Sequence, residues 1–298
     1  MAKPKQNKSL AKGAKRKSAV PRRVKAQFDE AAASYAKLLL NPCDAPLVHP
    51  VGAPTGGILI RCQSAFSIVG VGAACGVVHW TPGAIGSNNA ELLFSNVADG
   101  NTATAFATNA STPGKNFLAT NASDCRCVAA CMRVYYDGAE STRAGRIAYG
   151  QTVGGFIIAG TTVATPQQIV PGLEYMERTP QTAVEVKWRP NEYDLMLSDP
   201  QTATASIEKD RRSSLTLVAL NQPVGSYLPV IFTAVYEYTP QVNTGITTSL
   251  RPSTASRFSF QQVVEAIDSM MSKPWVSSAG ASLLYNLPTV FNSMRLRN

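Results

Sequence analysis

Short runs in which apolar and polar residues alternate, separated by Pro, Gly, Asn and Ser, constrain this chain more than any other feature. In ILIRCQSAFSIV (58–69), Ile58, Ile60, Cys62, Phe66 and Ile68 fall on one side and Leu59, Arg61, Gln63 and Ser67 on the other. A period of two sends successive side chains to opposite faces, so this run predicts a half-buried strand. AVEVKW (183–188) repeats the pattern, with Val184, Val186 and Trp188 opposite Glu185 and Lys187. CVAACMRVYY (127–136) predicts a strand with Val128, Ala130, Met132, Val134 and Tyr136 on one face, stopped by Asp137-Gly138. Further strand-length runs are GVVHWTPG (76–83), AELLFSNV (90–97), GRIAYGQT (145–152), GFIIAGTTV (155–163), SLTLVAL (214–220) and PVIFTAVYEY (229–238). Residues 98–124, rich in Asn, Thr, Ala and Ser, read as a long loop. Strands dominate and the alternation of strand with helix is missing. The fold class is therefore all-β, about eight antiparallel strands in a sandwich, barrel or jelly roll.

Helical signals are confined to the flanks and one insertion. Residues 28–40 predict a short helix ended by Asn41-Pro42, followed by the Pro/Gly-rich connector NPCDAPLVHPVGAPTGG (41–57). A helix is expected over 166–177, interrupted by Pro171-Gly172. In SFQQVVEAIDSMM (259–271), Phe260, Val263, Val264, Ile267, Met270 and Met271 recur at helical spacing. Ser259 and Gln262 match a capping box there, and Pro274 stops the helix. A second apolar segment, ASLLYNLPTVFNSM (281–294), follows. The expected organisation is an arm (1–27), a helix with connector (28–57), a β domain (58–240) and a C-terminal extension with an amphipathic helix (241–298). The extension is read as helices packed on the sandwich; a membrane-active or genome-facing segment is the alternative.

Charge is distributed very unevenly. LAKGAKRKSAVPRRVK (10–25) holds seven basic residues and no acid. Residues 1–27 carry Lys3, Lys5, Lys8, Lys12, Lys15, Arg16, Lys17, Arg22, Arg23 and Lys25, with no acid before Asp29. Of 28 basic and 19 acidic residues in the chain, setting aside those ten leaves 18 basic against 19 acidic in 28–298. The formal +9 thus resides in the arm. Dense charge without aromatic residues predicts disorder. If all ten engaged single-stranded nucleic acid, counterion release would give log K a slope of roughly −7 against log[salt]. Without interleaved aromatics, such an arm binds phosphates rather than reading bases. A nuclear targeting tract is the other use of this composition.

Evidence for catalysis is thin. P-loop, GxGxxG, HExxH and GxSxG motifs are missing. Six cysteines lie at 43, 62, 75, 125, 127 and 131, without the paired spacing of a zinc site, and read as free thiols on strands. His79, beside Trp80 on a strand, reads as packing or hydrogen bonding, and His49 lies in the connector. Clustered loop acids make Asp194 and Asp199 the calcium candidates. No apolar run reaches the roughly 18 residues of a membrane helix. Only 16% of residues are charged, against about 25% in an average domain. Low charge of this kind suits extensive protein–protein contact.

A basic arm, a Pro-rich link and an antiparallel β body together resemble the coat proteins of small icosahedral RNA viruses of the tombusvirus, sobemovirus and nodavirus kind, and related coats of some small single-stranded DNA viruses. The resemblance is carried by AACMRVYYDGAESTRAGRIAYG (129–150), AVEVKWRPNEYDLMLSDP (183–200), YLPVIFTAVYEYTP (227–240) and the lead-in LLLNPCDAPLVHPV with GGILIRCQSAFS, across about residues 35–240. It implies an eight-stranded jelly roll, not an enzyme, self-assembling into a shell, most often T=3 with roughly 180 copies. It further implies arms directed onto a single-stranded genome, RNA ahead of DNA, in a virion assembled in host cytoplasm. The implied partners are the chain itself, the genome, a host receptor, and a membrane touched by the C-terminal helix during infection. The family's acidic pair for inter-subunit calcium is missing from IAYGQTVGG, which leaves Asp194 and Asp199 as the calcium candidates. The alternative function is a cellular, non-specific RNA-binding β-sandwich with a basic tail.

Overall fold

Period-two alternation gives each strand one apolar face, and two stacked antiparallel sheets bury those faces against each other. A computed structural model describes residues 30–50, 57–85, 92–108, 112–154, 164–179, 183–200 and 210–242. Among them are ten strands: β1 (Ile58–Ile68), β2 (Cys75–Trp80), β3 (Leu92–Val97), β4 (Ala107–Thr108), β5 (Ala122–Val134), β6 (Arg146–Val153), β7 (Tyr175–Arg178), β8 (Val184–Lys187), β9 (Ser213–Leu220) and β10 (Leu228–Pro240). The helices are α1 (Glu30–Leu40), α2 (Lys115–Asn121) and α3 (Pro166–Ile169). The basic arm, the 155–163 run and the segments at 259–271 and 281–294 lie outside the described residues.

One sheet has the order β1-β10-β5-β8 and the other β4-β3-β2-β9-β6-β7. The pairings are nested. β1 joins β10, β2 joins β9, β5 joins β8, and β6 joins β7. First pairs with last and the nesting continues inward, which is an antiparallel ribbon rolled up once: a jelly roll of eight strands. β3 and β4 extend the second sheet beyond β2.

Between the sheets lie Ile68, Trp80, Leu92, Met132, Trp188, Leu217 and Phe232, all buried. Phe232 stacks on Phe66 at 5.1 Å between ring centroids and meets the edge of Trp80 at 5.1 Å. The Trp188 indole satisfies its N–H by donating to the Ser213 carbonyl at 2.9 Å. Each outer face has its own cover. Ala32, Tyr35, Ala36 and Leu38 of α1 pack on Val128, Ala129 and Val235 of the four-stranded sheet. Ile169 and its neighbours pack on Val77, Ala148 and Val218 of the six-stranded sheet. β2 and β9 are consequently buried along their whole length.

Three elements differ from the sequence reading. The loop expected over 98–124 contains β4 and α2, and β5 begins at Ala122. The helix expected over 166–177 ends early. Thr165 and Gln168 cap it reciprocally, but Pro171 lacks the N–H that would continue it. Tyr175–Arg178 then pairs with β6 as a strand. In β5, Val128 does not share a face with Ala130 and Met132. Val235 pairs with Ala129 and Tyr236 with Cys127, so Val128 is the extra residue of a β-bulge. The bulge reverses the alternation, leaving Cys127 in the core and Val128 beneath α1.

Candidate functional site

The outer face of the four-stranded sheet is where the body receives the chain arriving from the basic arm. Alternation along its strands turns Arg61 and Gln63 (β1), Thr233, Val235 and Glu237 (β10), Arg126, Cys131 and Arg133 (β5), and Glu185 and Lys187 (β8) to this side. The register sets Glu237 opposite Arg126 and Cys131 opposite both Thr233 and Lys187. Polar groups on a face that becomes covered need partners, and the segment from α1 to Gly57 supplies them.

Glu237 is the hub. Its carboxylate is almost fully buried, and Arg126, itself nearly buried, donates Nε–H to Oε2 at 2.7 Å with Nη2 at 2.7 Å from the same oxygen. On Oε1 it meets His49 Nδ1 at 3.0 Å and the Gly57 backbone N–H at 3.3 Å. Arg126 Nη1 also donates to the Leu195 carbonyl at 3.0 Å. One carboxylate thus joins β10, β5, the connector and the lead-in to β1. Burial alone would raise the Glu237 pKa. The His49 hydrogen bond and the Arg126 charge outweigh it and hold the carboxyl below its ordinary range. Gly57 is required here, since a Cβ would lie 2.7 Å from the Glu237 Cγ.

The same segment is held at three further points. Tyr35 donates its hydroxyl to the Val128 carbonyl at 3.3 Å. Arg61 Nη2 donates to the Ala45 carbonyl. The Cys43 and Cys131 sulfurs are 2.6 Å apart, and with Glu185 they form a group of side chains close enough to share one ion. All six cysteines are free thiols. Geometrically this face is a clamp that holds α1 and the connector after it on the four-stranded sheet.

The arm residues Lys3, Lys5, Lys8, Lys12, Lys15, Arg16, Lys17, Arg22, Arg23 and Lys25 lie outside the described residues. Asp194 is fully buried in the β8–β9 connection, and its Oδ2 accepts from the backbone N–H groups of Asn191 at 2.9 Å and Ser213 at 3.1 Å. Burial raises its pKa to about 6, against the lowering effect of those hydrogen bonds and of Arg212. Asp199 is exposed. Among the described residues, Cys43, Cys131 and Glu185 form a group of three with ion-binding spacing. His79 is buried and bonded to Thr216 Oγ1 at 2.8 Å and the Gly154 carbonyl at 3.2 Å, the packing role its sequence context implies. The Glu237 hub was not singled out from sequence. Its signal was present as a charged residue between Tyr236 and Tyr238 in an apolar strand.

No protein-family model and no curated protein matches this chain. Solved structures do. The D431N mutant VP2 protein of infectious bursal disease virus, in derived T=1 particles, aligns with a TM-score of 0.51 at 9% identity, over 72% of this chain and 86% of that one. A structure of the Gt strain of the same virus aligns with a TM-score of 0.51 at 11% identity, over 80% and 94%. The fold is that of an icosahedral virus capsid protein. A structure of tobacco necrosis virus also aligns, with a TM-score of 0.41 at 11% identity over 62% and 97%. At such identities the likeness to the two infectious bursal disease virus structures is one of fold. The arrangement of the clamp is read from this chain's own residues.

Proposed function

We propose that this chain is the shell subunit of an icosahedral virion, structural rather than catalytic, whose jelly rolls self-assemble while the arms draw in a single-stranded genome. The observation that carries the reading is the pairing of a capsid-type jelly roll with an arm holding the chain's entire net charge. A body of 18 basic and 19 acidic residues can pack against copies of itself without strong repulsion. Exposed apolar side chains support self-contact. Val71 (86% exposed), Val224 (72%) and Tyr227 (44%) stand together at one end of the roll, where Gly225 N–H donates to the Gly70 carbonyl at 3.2 Å. The clamp supports the packaging half of the reading, because it seats α1, the first described element after the basic arm, on one face of the body. A T=3 shell of roughly 180 copies is the expected assembly, and RNA the expected cargo. Assembly would take place in the host cytoplasm.

The test is electron microscopy of the expressed protein after size exclusion, with absorbance at 260 and 280 nm on the same fractions. Uniform shells rich in nucleic acid, emptied or shrunk by deleting residues 1–27, are expected. A species that stays monomeric at all salt and pH values, with RNA added, would replace this reading with the cellular RNA-binding one. The calcium reading of Asp194 and Asp199 has a separate test. Shells whose melting temperature falls in a chelator and recovers with calcium support it, and shells indifferent to both retire it.

A further inference from the structure

We propose that Cys43 and Cys131 form an oxidative cross-link, a disulfide that fastens the arm-bearing segment to the outer face of the four-stranded sheet. Cys43 lies in the turn directly after α1, and Cys131 near the C-terminal end of β5. They are 88 residues apart in sequence, yet their sulfurs are in contact at 2.6 Å. The inference concerns the clamp alone and does not depend on the shell reading.

The two thiols are differentiated as an attacking and a resolving cysteine need to be. Cys43 is half-buried and reachable from solvent, while Cys131 is fully buried beneath it. The Cys131 and Thr233 hydrogen bonds and the Arg133 charge lower the Cys43 thiol pKa, against partial burial and the Glu185 charge. An accessible thiol set against a buried one is the geometry in which the outer sulfur starts thiol–disulfide exchange and the inner one resolves it.

The oxidant is a low-molecular-weight disulfide, RSSR. The Cys43 thiolate attacks one of its sulfurs, the S–S bond breaks, and RS⁻ leaves with the electron pair. Cys131 gives its proton to the departing thiolate or solvent, and its sulfur then attacks the Cys43 sulfur of the mixed disulfide. A second RS⁻ leaves and takes a proton. In sum, two protein thiols and RSSR become one protein disulfide and two RSH. Glu185 completes a possible three-ligand metal group, and its Oε1 is buried without a hydrogen-bond partner. Arg133 lies 3.5 Å from its other oxygen, and Lys187 stands opposite Cys131 in register. Two cations at the group's edge favour the cross-link over a divalent metal ion.

The experiment uses the full chain, purified reduced and incubated with oxidised glutathione. Remaining thiols are alkylated in denaturant, and the protein is digested and analysed by mass spectrometry without reductant. The expected product joins the peptides of Cys43 and Cys131 with loss of two hydrogens, leaving Cys62, Cys75, Cys125 and Cys127 alkylated. Closing a loop of this length is expected to raise the melting temperature by roughly 10 °C, reversed by reductant. In Cys131→Ser, glutathione should remain attached at Cys43; in Cys43→Ser, no cross-link should form. If either variant fails to fold, the wild-type peptide map decides alone. The proposal is overturned if both thiols stay free, if the wild-type protein stops at the glutathione adduct, or if zinc alone at one equivalent protects both thiols from alkylation while oxidised glutathione leaves them unlinked.

Discussion

Glu237 lies on a strand whose neighbours Tyr236 and Tyr238 point into the sandwich, so its own side chain must point outward, where Arg126 and His49 meet it. Breaking a buried pair leaves the partner charge unsatisfied, which costs more than the pair contributes. Glu237→Gln is therefore expected to destabilise the fold by roughly 3 kcal/mol in urea melts. The double change Glu237→Leu with Arg126→Met should recover much of that loss. The two notable carboxyls respond to pH in opposite directions. Glu237 has a depressed folded pKa, so its contribution is present above the ordinary glutamate range and is lost as pH falls through the folded value. Asp194 is raised to about 6 by burial. Between an unfolded value of about 4 and that value, the native state binds more protons. Its contribution is present below the unfolded pKa and is lost as pH rises through the folded one. Urea midpoints of Asp194→Asn against the parent should show a flatter slope from about pH 4 to about pH 6.

At the scale of elements, the bulge at Val128 and helix α1 depend on each other. The extra residue places Val128 and Ala129 together on the outer face, which gives α1 an apolar seat otherwise occupied by alternating polar groups. Ala36 sits fully buried in that seat. Ala36→Glu should lift α1 while the sandwich persists, seen as fast tryptic cleavage after Lys37 with nearly unchanged circular dichroism. The start of β6 has a comparable restriction. Gly145 adopts φ +84°, and a Cβ there would lie 2.6 Å from the Leu220 carbonyl oxygen. Gly145→Ala combines backbone strain with a clash, and a loss of about 2–4 kcal/mol in denaturant melts is expected. This glycine lies in the R-A-G-R-I stretch on which the coat-protein resemblance partly rested, and its need is a close approach between β6 and β9.

For the whole molecule, the segregation of charge is the property to test. Replacing Lys12, Lys15, Arg16, Lys17 and Arg22 with Ala should halve the dependence of single-stranded RNA binding on salt, from a slope of roughly −7 to roughly −3.5. Binding should weaken equally for unrelated RNA sequences, because phosphate contacts carry no base information. A sequence-dependent loss, or an unchanged slope, would move the binding surface onto the body.

The sequence by itself determined where most strands lie and which face each buries, because alternation is a local property of the pleated backbone. Ile58–Ile68 and Val184–Lys187 face the core as their patterns require. It also determined the isolation of charge in the first 27 residues, since charge needs only counting. Tertiary structure decided what depends on pairing between distant residues. The bulge at Val128 follows from how β5 registers against β10, and no local pattern announces it. The Tyr175–Arg178 segment is a strand because β6 offers it a partner once Pro171 has ended the helix. Glu237 with His49, 188 residues apart, and Cys43 with Cys131 become neighbours only when the rolled sheet brings its first and last strands together and the connector crosses them.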